Sequence, residues 1–229
     1  MTEGKNPHHI CGRADGSSCD DCELRQKLIC REAQAERRFF VISQLPFLTL
    51  SFFGMGMVGL ATGVWWPIFA YSLAGIAFLG PVEMAVLCRH CPHYAREGPR
   101  LRCIAPNPFP KLFPSDPSPL NRLEKTIVIL FSLFLLFFPS LVQAYGIWSF
   151  FAGEGGFALL GMVAVNFATA MAALSFGRTL IHHFCSRCVN FSCPFNRVSE
   201  ETARGYLERN PAIQAAWNGA WRTGGRRRS

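Results

Sequence analysis

FFVISQLPFLTLSFFGMGMVGLATGVWWPIFAYSLAGIAFLGPVEMAVL, residues 39 to 87, contains no lysine, arginine, histidine or cysteine. A second run, Thr126 to Gly177, is equally bare of them. Each run is about 50 residues, too long for one helix and suited to two, because a bilayer core of roughly 30 Å takes about 20 residues at 1.5 Å rise. The runs therefore predict four spans: Phe39–Leu60, Trp65–Leu87, Thr126–Ile147 and Phe157–Leu180. Short glycine-containing breaks beside tryptophan, 61–64 and 148–156, fit turns at a membrane interface. The expected fold is all-α: a polytopic membrane protein whose four transmembrane helices form two similar hairpins, with cysteine-rich cytoplasmic loops.

All 23 bases, all 10 cysteines and all 6 histidines fall outside those runs, in 1–38, 88–125 and 178–229. Neither hairpin tip carries a Lys or Arg, so the positive-inside rule places the N-terminus, central loop and C-terminus in the cytoplasm of a multi-pass inner-membrane protein. The first 38 residues are polar and do not resemble a cleavable signal peptide. A soluble protein with four such helices would have too little remaining chain to cover them. The net charge of +8 predicts attraction to anionic inner-leaflet lipid. Its spread over three segments speaks against nucleic acid as a partner. The organisation reads as an N-terminal four-cysteine segment (1–38), a membrane domain (39–198) with metal loops at 88–125 and 181–198, and an interfacial amphipathic tail (199–229). In that tail Ser199-Glu-Glu and Asn210-Pro211 open helices, and Ile213, Trp217 and Trp221 share one face.

The cysteines are paired in spacing. The N-terminal set is Cys11-x7-Cys19-x2-Cys22-x7-Cys30; after span two come Cys88-Arg-His90-Cys91-Pro-His93 and then Cys103; after span four comes His182-His183-Phe-Cys185-x2-Cys188-x4-Cys193-Pro194. Two residues between thiolates let both sulfurs approach one ion, and a second pair completes a tetrahedron. A reducing cytoplasm disfavours disulfides, and palmitoylation does not call for paired spacing. The fourteen candidate ligands are therefore Cys11, Cys19, Cys22, Cys30, Cys88, Cys91, Cys103, Cys185, Cys188, Cys193, His90, His93, His182 and His183. Zinc and an iron–sulfur cluster both remain open as cofactor.

Gly80 and Gly177 each lie eight residues before the first thiol of a cluster, and both clusters contain Cys-Pro, which predicts a parallel internal repeat. Spans two and four would then adjoin, setting Cys88 and Cys91 against Cys185 and Cys188, and Glu83 would pair with Arg178. Gln143 and Asn166 are expected to hydrogen-bond between helices. Pro46, Pro67, Pro81 and Pro139 predict kinks. The proline-rich strip 99–119 is expected to run extended over the surface.

Leu87-Cys-Arg-His-Cys-Pro-His-Tyr94 and Cys188-Val-Asn-Phe-Ser-Cys-Pro194, with Cys19-x2-Cys22-x-Leu24, resemble a group of small four-span bacterial and archaeal membrane proteins. That resemblance covers most of the chain and implies the fold but no activity. The layout is also similar, more loosely, to four-span ferredoxin-type quinol dehydrogenase subunits, whose regular four-cysteine runs this chain lacks. The functional expectation is a metal-thiolate redox or membrane-anchor subunit that meets a protein partner on the cytoplasmic face, within an oligomer or larger complex. The alternatives are a zinc-stapled scaffold for a cytoplasmic enzyme and a thiol-based membrane enzyme. A catalytic residue is not assigned.

Overall fold

A computed structural model describes residues 22–30, 33–95, 99–101, 103–105, 109–151 and 156–224, with side chains as far as residue 217. Cys11 and Cys19 lie outside the described residues, and so does the side chain of Trp221. The described chain is helical, and four of its helical segments are long and apolar enough to cross a membrane. A one-turn helix, α1 (Leu24–Lys27), precedes the first long helix, α2 (Gln34–Thr62). The second long segment comprises α3 (Trp66–Ala77), a wide π-type turn (Phe78–Val82) and α4 (Glu83–Val86). Then come α5 (Arg122–Phe151) and α6 (Gly156–Thr179), the latter also ending in a π-type turn (Leu180–Phe184). Two short helices close the chain, α7 (Glu200–Glu208) and α8 (Pro211–Gly224).

Helices α2 and α5 begin one turn before the apolar runs do, which brings Glu36 and Glu124 into their first turns. Gly63, with φ of 73°, terminates α2 in the left-handed region, and its N–H returns to the Gly59 carbonyl at 2.9 Å. Pro67 starts α3, where its missing N–H costs nothing. Further along, Pro139 sits inside α5 and withholds a hydrogen bond from the carbonyl four residues earlier, that of Leu135. Tyr71 from α3 repairs the defect, donating its hydroxyl to that carbonyl at 3.0 Å while its ring stacks on Phe138. A neighbouring helix thus satisfies backbone that lipid cannot.

Helices α2, α5 and α6 pack against one another, and α3 with α4 docks chiefly on α5. Phe47 stacks on Phe176 between α2 and α6, and Phe78 on Phe131 between the second segment and α5. Met55, Val58, Tyr71, Val142 and Met162 form the buried centre. Gln143, fully buried, donates to the Leu50 carbonyl at 3.3 Å, so it bridges α5 to α2 as expected. Most other large side chains, among them Leu60, Phe69, Leu141 and Phe167, point outward, as a lipid-facing surface requires.

Spans two and four each pack on α2 and α5 and show no substantial packing on one another among the described residues. The expected Glu83–Arg178 pair is likewise absent. Arg178 is exposed, and Glu83 lies within electrostatic range of Cys88 and Cys193. At Gly80 the backbone leaves helical geometry (φ −97°, ψ −107°) within the π-type turn. Gly80 is needed there because the ring of Phe109 lies on it: a Cβ would stand 2.9 Å from that ring.

Candidate functional site

The cysteine-bearing ends of both second-in-pair helices repeat one local design. After the π-type turn, Cys88–His90 and Cys185–Arg187 form single 3-10 turns, and the next residue, Cys91 or Cys188, is extended. Each C-x2-C pair therefore has its first sulfur on a tight turn and its second just past it. The loops that follow turn in the same manner: the Tyr94 N–H bonds the Cys91 carbonyl at 2.8 Å, and the Asn196 N–H the Cys193 carbonyl at 3.0 Å.

Although their helices stand apart, the two loops meet. Asn190 Nδ2 donates to the Leu87 carbonyl at 3.2 Å. The segment before α2 is inserted between them, with the Ile29 N–H on the Arg187 carbonyl at 2.8 Å and the Ile29 carbonyl receiving His93 Nε2 at 3.2 Å. Leu24, Leu28, Val189, Tyr206 and Ile213 form one apolar cluster above the bundle, against which Cys22, Cys30 and Cys91 pack. Ser199 caps α7 as predicted, accepting from the Thr202 N–H at 3.3 Å. The Ile213–Trp217 face of α8 covers this cluster, with Trp217 edge-on to Phe191. The short N-terminal segment and the thiol loops offer it an apolar surface to bury.

The proline strip is tied down as well. Tyr94 Oη donates to the Phe113 carbonyl at 2.9 Å and accepts its N–H at 3.1 Å. The Asp116 N–H reaches the Arg89 carbonyl at 2.9 Å. The strip is a cover over the first thiol loop.

Beneath these covers six sulfurs gather. Cys88 is buried, and Cys91, Cys103, Cys185, Cys188 and Cys193 are half-buried. Cys88 lies within electrostatic range of Cys91, Cys103 and Cys188, and Cys185 within range of Cys188 and Cys193. Burial pushes the Cys91 thiol well above its ordinary range, and the neighbouring Cys103 and Cys188 push it further. Burial raises Cys188 likewise, followed by the charges of Cys193, Cys103 and Cys185. Backbone N–H groups oppose this at three sulfurs: His93 bonds Cys91, Asn190 bonds Cys188, and Phe195 and Asn196 bond Cys193. Such donors stabilise thiolate over thiol, and they orient sulfur ligands. Neighbouring thiols whose charges oppose one another ionise together only when a cation balances them. Cys22, Cys88, Cys91, Cys185, Cys188 and Cys193 carry free thiols. Among the described residues no three His, Cys, Asp or Glu side chains are placed to hold one metal ion.

The histidines are engaged elsewhere. His90 is buried, with Nδ1 on the Ser118 carbonyl at 2.7 Å and Nε2 between Arg89 Nε at 3.0 Å and Glu124 Oε1 at 3.1 Å. Neither nitrogen is left for a metal. His93 donates Nε2–H to a carbonyl, which occupies that nitrogen. His183 Nε2 faces Glu36 Oε2 at 2.9 Å, and His182 is exposed. Spacing drew these histidines in as ligands; two of them serve carboxylates far away in sequence instead.

Those two carboxylates are what the sequence reading missed. Glu124, at the start of α5, binds Arg89 Nη2 at 2.7 Å and His90 at the end of the second span. Glu36, at the start of α2, binds Arg187 and His183 at the end of the fourth. The first helix of each half thus clamps the thiol turn of the other half, the arrangement a parallel repeat about the membrane normal produces. The available signal was one acidic residue in the first turn of each odd-numbered span.

Comparison with known protein families, with characterised proteins and with solved structures finds no match. The residues themselves carry the functional reading.

One consequence for Glu83 follows from its position. Glu83→Gln is expected to leave assembly intact, giving the wild-type elution profile and thermal midpoint in detergent. Loss of assembly would restore the abandoned pair with Arg178.

Proposed function

We propose that this chain is an integral membrane metal-thiolate protein, an electron-transfer or membrane-anchor subunit of a larger complex. The metal sits at the cytoplasmic face of the inner membrane. The observation that carries the reading is that Cys88, Cys91, Cys103, Cys185, Cys188 and Cys193, from three separate segments, are linked pair by pair within electrostatic range, with backbone N–H groups on three of the sulfurs. Thiols raised by burial are poor free nucleophiles, which weighs against the thiol-enzyme alternative. Metal coordination removes the proton outright and turns the crowding of sulfurs into an advantage. The absence of lysine and arginine from the turn ends, with seven, seven and nine in the three other segments, supports cytoplasmic termini and contact with anionic lipid. Cys22 and Cys30 flank α1 within the same apolar cluster, and with Cys11 and Cys19 they are the remaining candidates for a structural zinc.

The full-length protein, purified in detergent without oxygen, is expected to contain metal and to resist alkylation at its loop cysteines until that metal is removed. Brown protein with iron and acid-labile sulfide supports the electron-transfer role; colourless protein with zinc supports the anchor or scaffold. Metal-free protein whose native thiols all alkylate at once would end the reading.

A further inference from the structure

The start of α2 borders a cavity that neither the thiol loops nor the helix packing uses. About 200 Å³ lies open beside Arg37, Arg38, Val41 and Ile42. One water molecule occupies roughly 30 Å³, so the space takes a headgroup anion and leaves anything longer outside. Arg37 and Val41 are half-buried, Arg38 and Ile42 exposed. Each apolar residue stands four positions after an arginine, one turn deeper along the helix.

The cavity straddles a chemical boundary. Helix α2 is long and apolar enough to cross a membrane, and its charge-free run begins at Phe39, directly after the two arginines. Headgroups meet acyl chains at such a boundary. Arg38, Ile42 and Leu45, at i, i+4 and i+7, share one helix face, and Ile42 and Leu45 are exposed on it. This is not the packed face: Phe40 and Phe47 turn to Phe176 of α6.

The charges favour an anion from outside the protein. The acid of the same turn, Glu36, is spent on His183 at 2.9 Å and on Arg187. Among the described residues no carboxylate pairs with Arg38. The guanidinium fork matches phosphate oxygens. A zwitterionic headgroup would set its own ammonium against two like charges, which selects a headgroup of net negative charge. A soluble phosphate would fill the arginine end and leave Val41, Ile42 and Leu45 uncovered; an acyl chain covers them.

We infer that this cavity binds the headgroup of one anionic phospholipid of the inner leaflet, with its phosphate on Arg37 and Arg38 and an acyl chain along Val41, Ile42 and Leu45. This rests on the lipid contact in the function proposed above and gives that contact a place; it does not depend on the metal.

The test titrates full-length protein in a neutral detergent with a short-chain phosphatidylglycerol, with the matching phosphatidylcholine and with inorganic phosphate. Calorimetry reads affinity, and the thermal midpoint without lipid reads the fold. Phosphatidylglycerol is expected to bind more tightly than the other two. Arg37→Gln with Arg38→Gln is expected to weaken it at least about tenfold, the effect of losing one charge-assisted hydrogen bond. Arg122→Gln with Arg178→Gln removes two exposed bases outside the cavity and is expected to leave the affinity unchanged. Should the first pair fail to fold, the exposed Arg38→Gln alone decides: weaker binding at an unchanged midpoint is expected, and wild-type affinity would overturn the site. Equal weakening in both double variants would also overturn it and leave a diffuse attraction to anionic lipid standing. Inorganic phosphate bound as tightly as phosphatidylglycerol would overturn the lipid as ligand. Equal binding of the two lipids by wild-type protein would remove both the site and the anionic-lipid contact it rests on, without touching the metal-thiolate reading.

Discussion

Replacing Glu124 by alanine is expected to cost about 3–5 kcal/mol of stability, the range for removing one partner of a buried, hydrogen-bonded charge group. Its carboxylate takes Arg89 Nη2 at 2.7 Å, His90 Nε2 at 3.1 Å and the Asn121 N–H at 2.8 Å, while its own N–H bonds Asn121 Oδ1 at 2.9 Å. The last two bonds make a reciprocal cap on α5; the first two hold the turn that carries Cys88. Its side chain is 8% exposed and that of His90 only 2%, so water does not replace what is lost. Arg89 and His90 also anchor the proline strip through Asp116 and Ser118. The mutation is therefore expected to speed alkylation of Cys88 as well as to lower the unfolding midpoint in detergent. Glu124→Gln keeps an acceptor for the cap and loses the charge, and its effect should fall between alanine and wild type. A midpoint within error of wild type for Glu124→Ala would show that the clamp carries no weight.

The second large effect is expected at Gly146, where α2, α5 and α6 meet. A Cβ there would lie 2.6 Å from Val58 Cγ2 and 3.5 Å from Met162 Cε. Val58 and Met162 are both 0% exposed. Valine in a helix has one strongly preferred rotamer, so it cannot swing aside. Gly146→Ala is expected to lose about 1–3 kcal/mol through overpacking, and Gly146→Leu to prevent close approach of the three helices altogether. Gly56 is the control, since a Cβ there meets nothing within 4 Å. Thermal unfolding of the three variants in one detergent checks the order: Gly56→Leu near wild type, Gly146→Ala lower, Gly146→Leu unfolded. Tolerance of leucine at 146 would refute the packing of this junction.

The four spans were legible because a long run without charge has few other uses, and Gly63 and the tryptophans marked the first turn. Which faces pack was not legible. Val58 and Leu60 are both apolar, yet one is fully buried and the other 79% exposed, since lipid and a neighbouring helix select the same residue types. The placing of α3 on α5 therefore had to come from the structure. Cysteine spacing disclosed local pairs. It gave no hint that Cys103 comes within electrostatic range of Cys88 and Cys91, because that depends on how the strip folds back over Gly80. The partners of His90 and His183 were hidden for a similar reason: adjacency to cysteine in sequence says nothing of a glutamate 34 or 147 positions away.

The crossed glutamates have a further meaning for engineering. A two-helix chain with this pattern has no carboxylate for its own thiol turn and closes only by lending its acid to a twin and borrowing one in return. Fusing the twins end to end makes that loan internal. Cutting the chain in the strip between the halves should then leave two fragments, each incomplete alone, that recognise each other by the same exchange.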